Sequence, residues 1–416
     1  MDAADPILVA ASEMPPLRLR AGFAWTVAGN VVYGASQWAM LSLIAKLGNG
    51  EMLGQYALAL AVATPVAMLA HLNLRAVLAT DMERRHAFRD YLAVRLWTTA
   101  AALLATVCLA FMPGSSGPAA IALMGVCLGV ENVSDTYYGL MQRRERMDQI
   151  ARSMMARGAL AVAVVGASLW LTHNLTAALV AMALARVAVL VAYDRPRGLA
   201  GERVDVAGPA GRLAILRSAL PLGVVLMLAA LTVNVPRYAI ERYLGTRELG
   251  AFAAVASFIA AGSAVVGALG QAAMPRLAIY YCSGDLGRFR ELAIKLCALS
   301  LALGVAGVVG AAVAGRLVLR IMYRPEYAAY SGLLVAVMAA GVPRYVAIML
   351  GYVLTSARSF APQMPLLVAV TMAAALASWR LVPAMGLGGA AVAIAIAACV
   401  QIAGALPILG RAMRRA

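Results

Sequence analysis

The strongest constraint on this chain is a series of apolar stretches, each long enough to cross a lipid bilayer as an α-helix. A membrane-spanning helix needs about 20 mostly apolar residues. About twelve such segments occur, about six on each side of a polar connection. The predicted helices are 22–46, 53–79, 92–112, 118–141, 154–172, 175–192, 216–240, 249–274, 292–314, 328–355, 363–380 and 386–410. The sequence therefore predicts an all-α integral membrane protein.

Composition favours a lipid environment over an aqueous one. Of the 416 residues, 63% are hydrophobic and only 13% are charged, whereas soluble domains carry about 25% charged residues. The formal net charge is +16, which in a soluble protein would suggest nucleic-acid binding. In a membrane protein the simpler explanation is that cytoplasmic loops accumulate arginine. We therefore expect no nucleic-acid partner.

No motif of an enzyme, a metal site or a cofactor site is recognisable in the sequence. The five cysteines lie in apolar surroundings without paired spacing, and the three histidines are scattered. This pattern indicates neither a disulfide framework nor a metal site. There is no Gly-x-Ser-x-Gly elbow, no His-Glu-x-x-His pair and no phosphate-binding glycine-rich loop. We therefore expect no catalytic residues, no metal and no cofactor.

Two short motifs recur at an offset of roughly 200 residues, which is half the chain. Residues 47–48 and 53–57 (LG, LGQYA) resemble 244–245 and 249–253 (LG, LGAFA), and 88–96 (FRDYLAVRL) resembles 289–296 (FRELAIKL). The longest polar connection, rich in Pro, Gly and charge, separates the two halves. The predicted organisation is an N-terminal segment 1–21, a six-helix bundle 22–192, a connection 193–215, a second six-helix bundle 216–410 and a tail 411–416.

Basic residues are distributed unevenly between the two sides that this helix pattern defines. About 23 lysines and arginines fall on the side of the termini and about 8 on the other side. Because short cytoplasmic loops are enriched in Lys and Arg, both termini and the 193–215 connection are predicted to be cytoplasmic. An even number of helices per half gives both halves the same orientation, as in transporters built from parallel repeats.

The features left to carry a function are polar and charged residues inside the predicted helices. A charge at the centre of a membrane helix costs roughly 2.5–3.5 kcal/mol, so each such residue needs a partner or a purpose. Two of the arginines occur in the sequence Val-Pro-Arg-Tyr, where proline kinks the helix and frees a carbonyl group. The candidates for lining a substrate cleft are Arg344, Arg237, Arg186, Arg75, Asn73, Asn234, Tyr345 and Tyr238.

These residues allow two interpretations. In the functional one, the arginines line a cationic cavity between the halves, because guanidinium groups match the geometry of phosphate. In the structural one, Arg344 pairs with Glu131 or Asp135 to stabilise the bundle, and Arg75 and Arg237 extend to the nearest interface. Glu131 and Asp135 are four residues apart and therefore share a helix face. They are candidates either for ion coupling or for structural pairing.

Five segments together carry a resemblance to a known family. They are NVPRYAIERYLGTRELGAFAAVA (234–256), GQAAMPRLAIYY (270–281), YRPEYA (323–328), GYVLTSARSF (351–360) and LVPAMGLGGAAVA (381–393). The chain resembles, from about residue 20 to 410, bacterial polysaccharide-biosynthesis flippases of the multidrug/oligosaccharidyl-lipid/polysaccharide exporter superfamily.

This resemblance implies two pseudo-symmetric six-helix bundles that form a central V-shaped cleft with a cationic lumen, open alternately to each side. It also implies the cargo, a polyprenyl-pyrophosphate-linked oligosaccharide moved from the inner to the outer leaflet of the bacterial inner membrane. Such a lipid-linked anionic oligosaccharide, membrane lipids and other polysaccharide assembly proteins are the expected partners.

Three other functions compete with this expectation. A drug/cation antiporter of the same superfamily would favour acidic cavity residues, whereas here the buried arginines outnumber the acids. A polytopic polysaccharide polymerase or ligase would need a large external loop with catalytic residues, which the sequence lacks. The third is a scaffold of a polysaccharide-synthesis complex that transports nothing. A flippase for a lipid-linked oligosaccharide is the expected function, with the antiporter as the main alternative.

Overall fold

The computed structural model describes residues 19–81, 86–112, 116–200, 209–359 and 362–415, and every regular element in these ranges is helical. The first elements are α1 (Leu19–Leu47), α2 (Gly50–His71), α3 (Leu74–Thr80), α4 (Phe88–Ala110), α5 (Pro118–Arg143), α6 (Met147–Thr172), α7 (Leu175–Val189), a π-helical turn (Leu190–Asp194) and α8 (Arg195–Leu199). They are followed by α9 (Pro209–Leu244), α10 (Thr246–Cys282), α11 (Leu286–Met322), a 3-10 helix (Pro325–Tyr330), α12 (Ser331–Ser356), α13 (Gln363–Met385) and α14 (Leu387–Arg415).

The predicted all-α membrane fold is confirmed. Within the described ranges, 11 helical segments are long and apolar enough to cross a membrane, and α1 adds a further helix of 29 residues. The observed helices are longer than predicted at many ends, because the polar residues of the first and last turns remain helical. For example, α6 begins at Met147 rather than at 154 and α9 begins at Pro209 rather than at 216.

Contacts divide the chain into two units, Met1–Met227 and Leu228–Ala416, so the division falls within α9. In the first unit α1 packs on α6, while α5 packs on α2, α4 and α7. In the second unit α12 packs on α10, α11 and α14, and α13 packs on α14. Of the predicted non-membrane segments, residues 1–18, 201–208 and 416 lie outside the described residues.

The repeated motifs occupy corresponding places in the two halves. Leu47 is the last residue of α1 and Gly48 follows it, just as Leu244 is the last residue of α9 and Gly245 follows it. The second motif likewise lies at the start of α4 and at the start of α11. The start of α2 has a usual N-cap interaction, in which the side chain of Asn49 accepts a hydrogen bond from the Met52 N–H at 2.8 Å. The internal repeat is therefore a repeat of helix boundaries as well as of sequence.

The predicted helix 53–79 is broken into α2 and α3. Leu72 and Asn73 both adopt the left-handed conformation, with a φ of 50°. Asparagine tolerates this conformation better than most residues, and Leu72 is held in a buried apolar cluster with Leu74 and Leu78. The break places Arg75, the second residue of α3, beside α5 rather than on a continuous helix end.

Close packing in the second unit depends on a glycine. A Cβ atom added to Gly262 of α10 would overlap the hydroxyl oxygen of Tyr345 on α12. That hydroxyl donates a hydrogen bond to the Ile259 carbonyl at 3.3 Å, and Tyr345 is only 1% exposed. Tyr345, a predicted cleft residue, is therefore part of the packing between α10 and α12.

We predict that Gly262→Ala lowers the thermal unfolding temperature of the purified protein by several degrees. The added methyl group displaces the Tyr345 ring, and overpacking of this kind costs about 1–3 kcal/mol. Gly310→Ala is the control, because a Cβ there has no heavy atom within 4 Å and alanine favours the helix. Equal unfolding temperatures for the two variants would contradict the prediction.

Candidate functional site

The first unit contains a cavity of about 320 Å³ between α1, α2, α3, α5, α6 and α7, lined by both polar and apolar side chains. This volume lies at the small end of the range for ligand pockets. We call it the first-unit cavity. Its polar and charged lining residues are Tyr33, Gln37, His71, Arg75, Glu131, Asn132, Asp135, Tyr138, Arg157 and Arg186. Within the described ranges, no group of three or more His, Cys, Asp or Glu side chains could hold a metal ion.

One face of α5 supplies the acids of this cavity. Glu131, Asp135, Tyr138 and Gln142 recur at helical spacing and share that face, as expected from the sequence. The first three line the cavity, and the side-chain oxygen of Gln142 accepts a hydrogen bond from Arg75 Nε at 2.7 Å. The start of α5 is fixed by two residues: Gly117, just before the helix, adopts a φ of 72°, and Pro118 occupies the first helical position, where proline is favoured.

Glu131 is the counter-ion of two buried arginines. Arg186 Nη1 donates to Glu131 Oε2 at 2.9 Å and to the Cys127 carbonyl at 3.0 Å. Arg157 Nη1 lies 3.7 Å from Glu131 Oε1, which also accepts a hydrogen bond from the Tyr33 hydroxyl at 2.5 Å. The arginine side chains are 3–4% exposed and the glutamate is 27% exposed. The carboxylate is therefore the accessible member of this ion cluster.

Asp135 contacts a second set of basic side chains. His71 Nε2 lies 3.0 Å from Asp135 Oδ2, and Arg75 Nη1 lies 3.5 Å from Oδ1. Arg95 Nη2 is 3.9 Å away, while its Nε donates to Thr136 Oγ1 at 2.8 Å and its Nη1 to the carbonyl of residue 70 at 3.0 Å. Arg95 is fully buried, so it needs these acceptors to remain charged inside the unit.

Arg157 also connects the cavity to the π-helical turn. Its Nη2 lies 3.4 Å from Asp194 Oδ2 and donates to the Tyr138 hydroxyl at 2.5 Å. Ser153 donates to Asp194 Oδ1 at 2.5 Å and is hydrogen-bonded to Tyr138 at 2.7 Å. Asp194, which falls in the predicted 193–215 connection, is fully buried in the first unit. One arginine is therefore shared by an accessible acid and a buried acid.

Sequence reasoning missed several members of this network: Tyr33, His71, Arg95, Arg157 and Asp194. The sequence predicts that the helix containing Arg157 begins at 154, which puts this residue in its first turn and among the basic residues on the side of the termini. Asp148 marks the true start, since it lies in the first turn of α6, where an acid is favoured by the helix dipole. For the other residues, partner choice depends on contacts between distant helices, which the sequence alone does not reveal.

The second unit holds a different arrangement of arginines. Arg237 Nη1 donates to Asn234 Oδ1 at 2.9 Å, and Arg344 lies in α12 of the same unit. Among the described residues of this unit, no acidic side chain lies within ion-pair distance of either arginine. We call Arg237 and Arg344 the second-unit arginine pair. The predicted cleft residues thus fall into two groups, Asn73, Arg75 and Arg186 in the first unit and Asn234, Arg237, Tyr238, Arg344 and Tyr345 in the second.

The fold is shared with membrane transporters of distant sequence. An inward-facing multidrug resistance MATE family transporter of the MOP superfamily matches with a TM-score of 0.76 at 14% identity, covering 94% of this chain and 99% of that transporter. The lipid II flippase MurJ, in an inward closed conformation, matches with a TM-score of 0.75 at 10% identity, covering 92% of this chain and 87% of MurJ. The protein is a multi-pass membrane protein with the fold of this class of transporters and flippases.

The sequence itself identifies the family. The profile of the family described as "Polysaccharide biosynthesis protein" matches residues 21–280, so the chain belongs to that family. One relative, the capsular polysaccharide biosynthesis protein CapF of Staphylococcus aureus, is 21% identical over 308 residues, covering 73% of this chain and 77% of CapF. The resemblance to polysaccharide flippases of the exporter superfamily, predicted from the sequence, is confirmed.

We predict that Asp194→Asn and Arg157→Met each lower the thermal unfolding temperature strongly, and that the double variant loses less than the sum. Removing one partner of a buried ion pair leaves an uncompensated charge and costs about 3–5 kcal/mol, whereas residues in contact are not additive. The readout is thermal unfolding of the purified proteins.

The control is the exposed pair Glu291–Lys295, whose charged atoms are 2.5 Å apart with side chains 62% and 69% exposed. Glu291→Gln should change the unfolding temperature little, because solvent-exposed ion pairs contribute little stability. Strictly additive losses in the Asp194 and Arg157 variants would show that the two side chains do not stabilise the protein as a pair.

Proposed function

We propose that the protein flips a polyprenyl-diphosphate-linked oligosaccharide from the cytoplasmic to the outer leaflet of the bacterial inner membrane by alternating access. Family membership and the transporter fold support this proposal. In this proposal both termini are cytoplasmic, as the distribution of basic residues predicts. The cargo binds in the predicted V-shaped cleft, and no catalytic step is required of the protein.

The chemistry of such a cargo explains why a protein is needed. The diphosphate and the sugars carry charges and hydroxyl groups that cannot enter hydrocarbon without a large loss of solvation free energy. The polyprenyl tail has no such cost and can remain in the lipid. A polar, positively charged path through the helices therefore suffices, provided that it is open to one side at a time.

The observation that carries the proposal is the second-unit arginine pair. Arg237 and Arg344 lie in the membrane-spanning helices α9 and α12, and among the described residues of their unit no acidic side chain lies within ion-pair distance of either. Guanidinium groups in such a position favour a planar or tetrahedral oxyanion, which they can bind with paired hydrogen bonds. A diphosphate supplies both the charge and the acceptors that this pair lacks.

The same charges argue against the antiporter alternative. A cationic drug would need an acidic side chain that is not already compensated. In the first-unit cavity, however, Glu131 contacts Arg157 and Arg186, and Asp135 contacts Arg75 and Arg95. A cation would have to displace those arginines. We infer that the two acids serve to compensate the buried arginines rather than to couple transport to an ion.

We predict that Arg344→Ala and Arg237→Ala each slow flipping by about tenfold or more, because each removes charge-assisted hydrogen bonds worth about 1.5–3 kcal/mol. Purified protein is placed in liposomes with a fluorescent polyprenyl-diphosphoryl oligosaccharide in both leaflets. A membrane-impermeant quencher then reports how fast the protected inner pool becomes accessible.

Arg320→Ala is the matched control, because Arg320 is an exposed arginine of α11 in the same unit. It should flip the lipid at the wild-type rate. Normal flipping by Arg344→Ala and Arg237→Ala would remove the role assigned to the pair. If the wild-type protein moves a cationic drug and leaves the lipid-linked oligosaccharide in place, the antiporter alternative replaces the proposal.

A further inference from the structure

The first-unit cavity presents two carboxylates and the guanidinium of Arg75 to a ligand. The side chains of Glu131, Asp135 and Arg75 are 27%, 15% and 29% exposed, whereas the Arg157 and Arg186 side chains that pair with Glu131 are 3–4% exposed. A ligand entering this cavity therefore meets acceptor oxygens that are already held in place. Tyr33 fixes the orientation of Glu131, and His71 with Arg75 fixes that of Asp135.

The cavity is also nearly neutral as a whole. Each arginine on its wall has an acidic contact: Arg75 with Asp135, Arg186 with Glu131, and Arg157 with both Glu131 and the buried Asp194. A phosphate group would have to approach two accessible carboxylates and compete with Asp135 for Arg75, because Arg157 and Arg186 are covered. Like charges repel, so a diphosphate fits this cavity poorly.

A hydroxyl group fits the same surroundings without that conflict. It donates to a carboxylate and accepts from a guanidinium, an amide or a phenol, and an ionised carboxylate has about four acceptor sites, more than its protein partners fill. Hydrogen bonds to charged groups are the stronger ones. With a volume of about 320 Å³, the cavity holds a part of an oligosaccharide and not a whole repeat unit.

We propose that the first-unit cavity is the glycan subsite, in which Glu131 and Asp135 accept hydrogen bonds from the hydroxyl groups of the cargo's sugars. This inference rests on the proposed function and divides the recognition of the cargo. The second-unit arginine pair binds the diphosphate, which is common to all lipid-linked oligosaccharides. The first-unit cavity binds sugar, and so discriminates between one glycan and another.

The test compares two ligands of purified full-length protein in lipid nanodiscs. One is the polyprenyl-diphosphate-linked oligosaccharide that accumulates when the gene for this protein is deleted from the source bacterium. The other is the polyprenyl diphosphate without sugar. The ratio of their dissociation constants measures the sugar contribution. Glu131→Gln and Asp135→Asn should each reduce this ratio about tenfold, the effect of losing a hydrogen bond to a charged group, without weakening binding of the bare diphosphate.

The controls use the same chemical changes outside the cavity. Glu291→Gln and Asp285→Asn alter exposed acids of the second unit and should keep the wild-type ratio. Arg344→Ala should weaken both ligands by the same factor. Tyr33→Phe, which keeps the ring and removes the hydroxyl group that orients Glu131, should lower the ratio by a smaller factor. If Glu131→Gln does not fold, Tyr33→Phe and Asp135→Asn together test the proposal.

Each outcome decides between the hypotheses. If the lipid-free oligosaccharide displaces the lipid-linked oligosaccharide from the wild-type protein but not from the Asp135→Asn variant, the cavity binds sugar and not a lipid headgroup. An unchanged ratio in folded Glu131, Asp135 and Tyr33 variants overturns the glycan subsite. Equal wild-type affinity for the two lipids also overturns it while leaving the flippase intact. If wild type binds neither lipid, the proposed function fails together with the subsite.

Discussion

The structure depends on one constraint, which is that a charge inside a membrane helix must find its compensation within the protein. A single such charge costs roughly 2.5–3.5 kcal/mol at the centre of a helix. In the first unit one helix, α5, meets most of this demand by presenting Glu131 and Asp135 on one face. Arginines of α3, α4, α6 and α7 converge on these two acids. The positions of five helices are therefore linked through two carboxylates.

The irregular parts of the first unit lie where this network is completed. The left-handed residues between α2 and α3 set the direction of Arg75 toward α5, and the π-helical turn buries Asp194 against Arg157. A π-helical turn is rare and is often found at functional sites, and left-handed backbone at leucine is costly. The chain accepts these local costs because the alternative is a guanidinium or a carboxylate without a partner in an apolar environment.

The helices were predictable because their signal is local: a run of apolar residues of sufficient length must form a helix when the solvent is lipid. The shared face of Glu131 and Asp135 was predictable for the same reason, since helical spacing is a local property. Arg95, Arg157 and Asp194 were not, because their roles depend on partners 37 to 41 residues away. Apolar length also places helix ends poorly: α6 begins at Met147, so Arg157, which lies in the first turn of the predicted helix 154–172, is well inside the observed helix.

The internal repeat duplicates the order of helices but not their charges. Both halves begin their second and third membrane-spanning helices, α2 and α4 in one half and α10 and α11 in the other, with related motifs. The first unit nevertheless contains buried arginines with acids beside them, whereas the second contains Arg237 and Arg344 without a described acid of that unit within ion-pair distance. If both halves served only to stabilise the bundle, neither would keep an uncompensated pair. If both served only to attract an anion, Glu131 and Asp135 would oppose that purpose. The proposed cargo, with a charged part and a neutral, hydroxyl-rich part, would account for both environments, because each half would then solvate one of them.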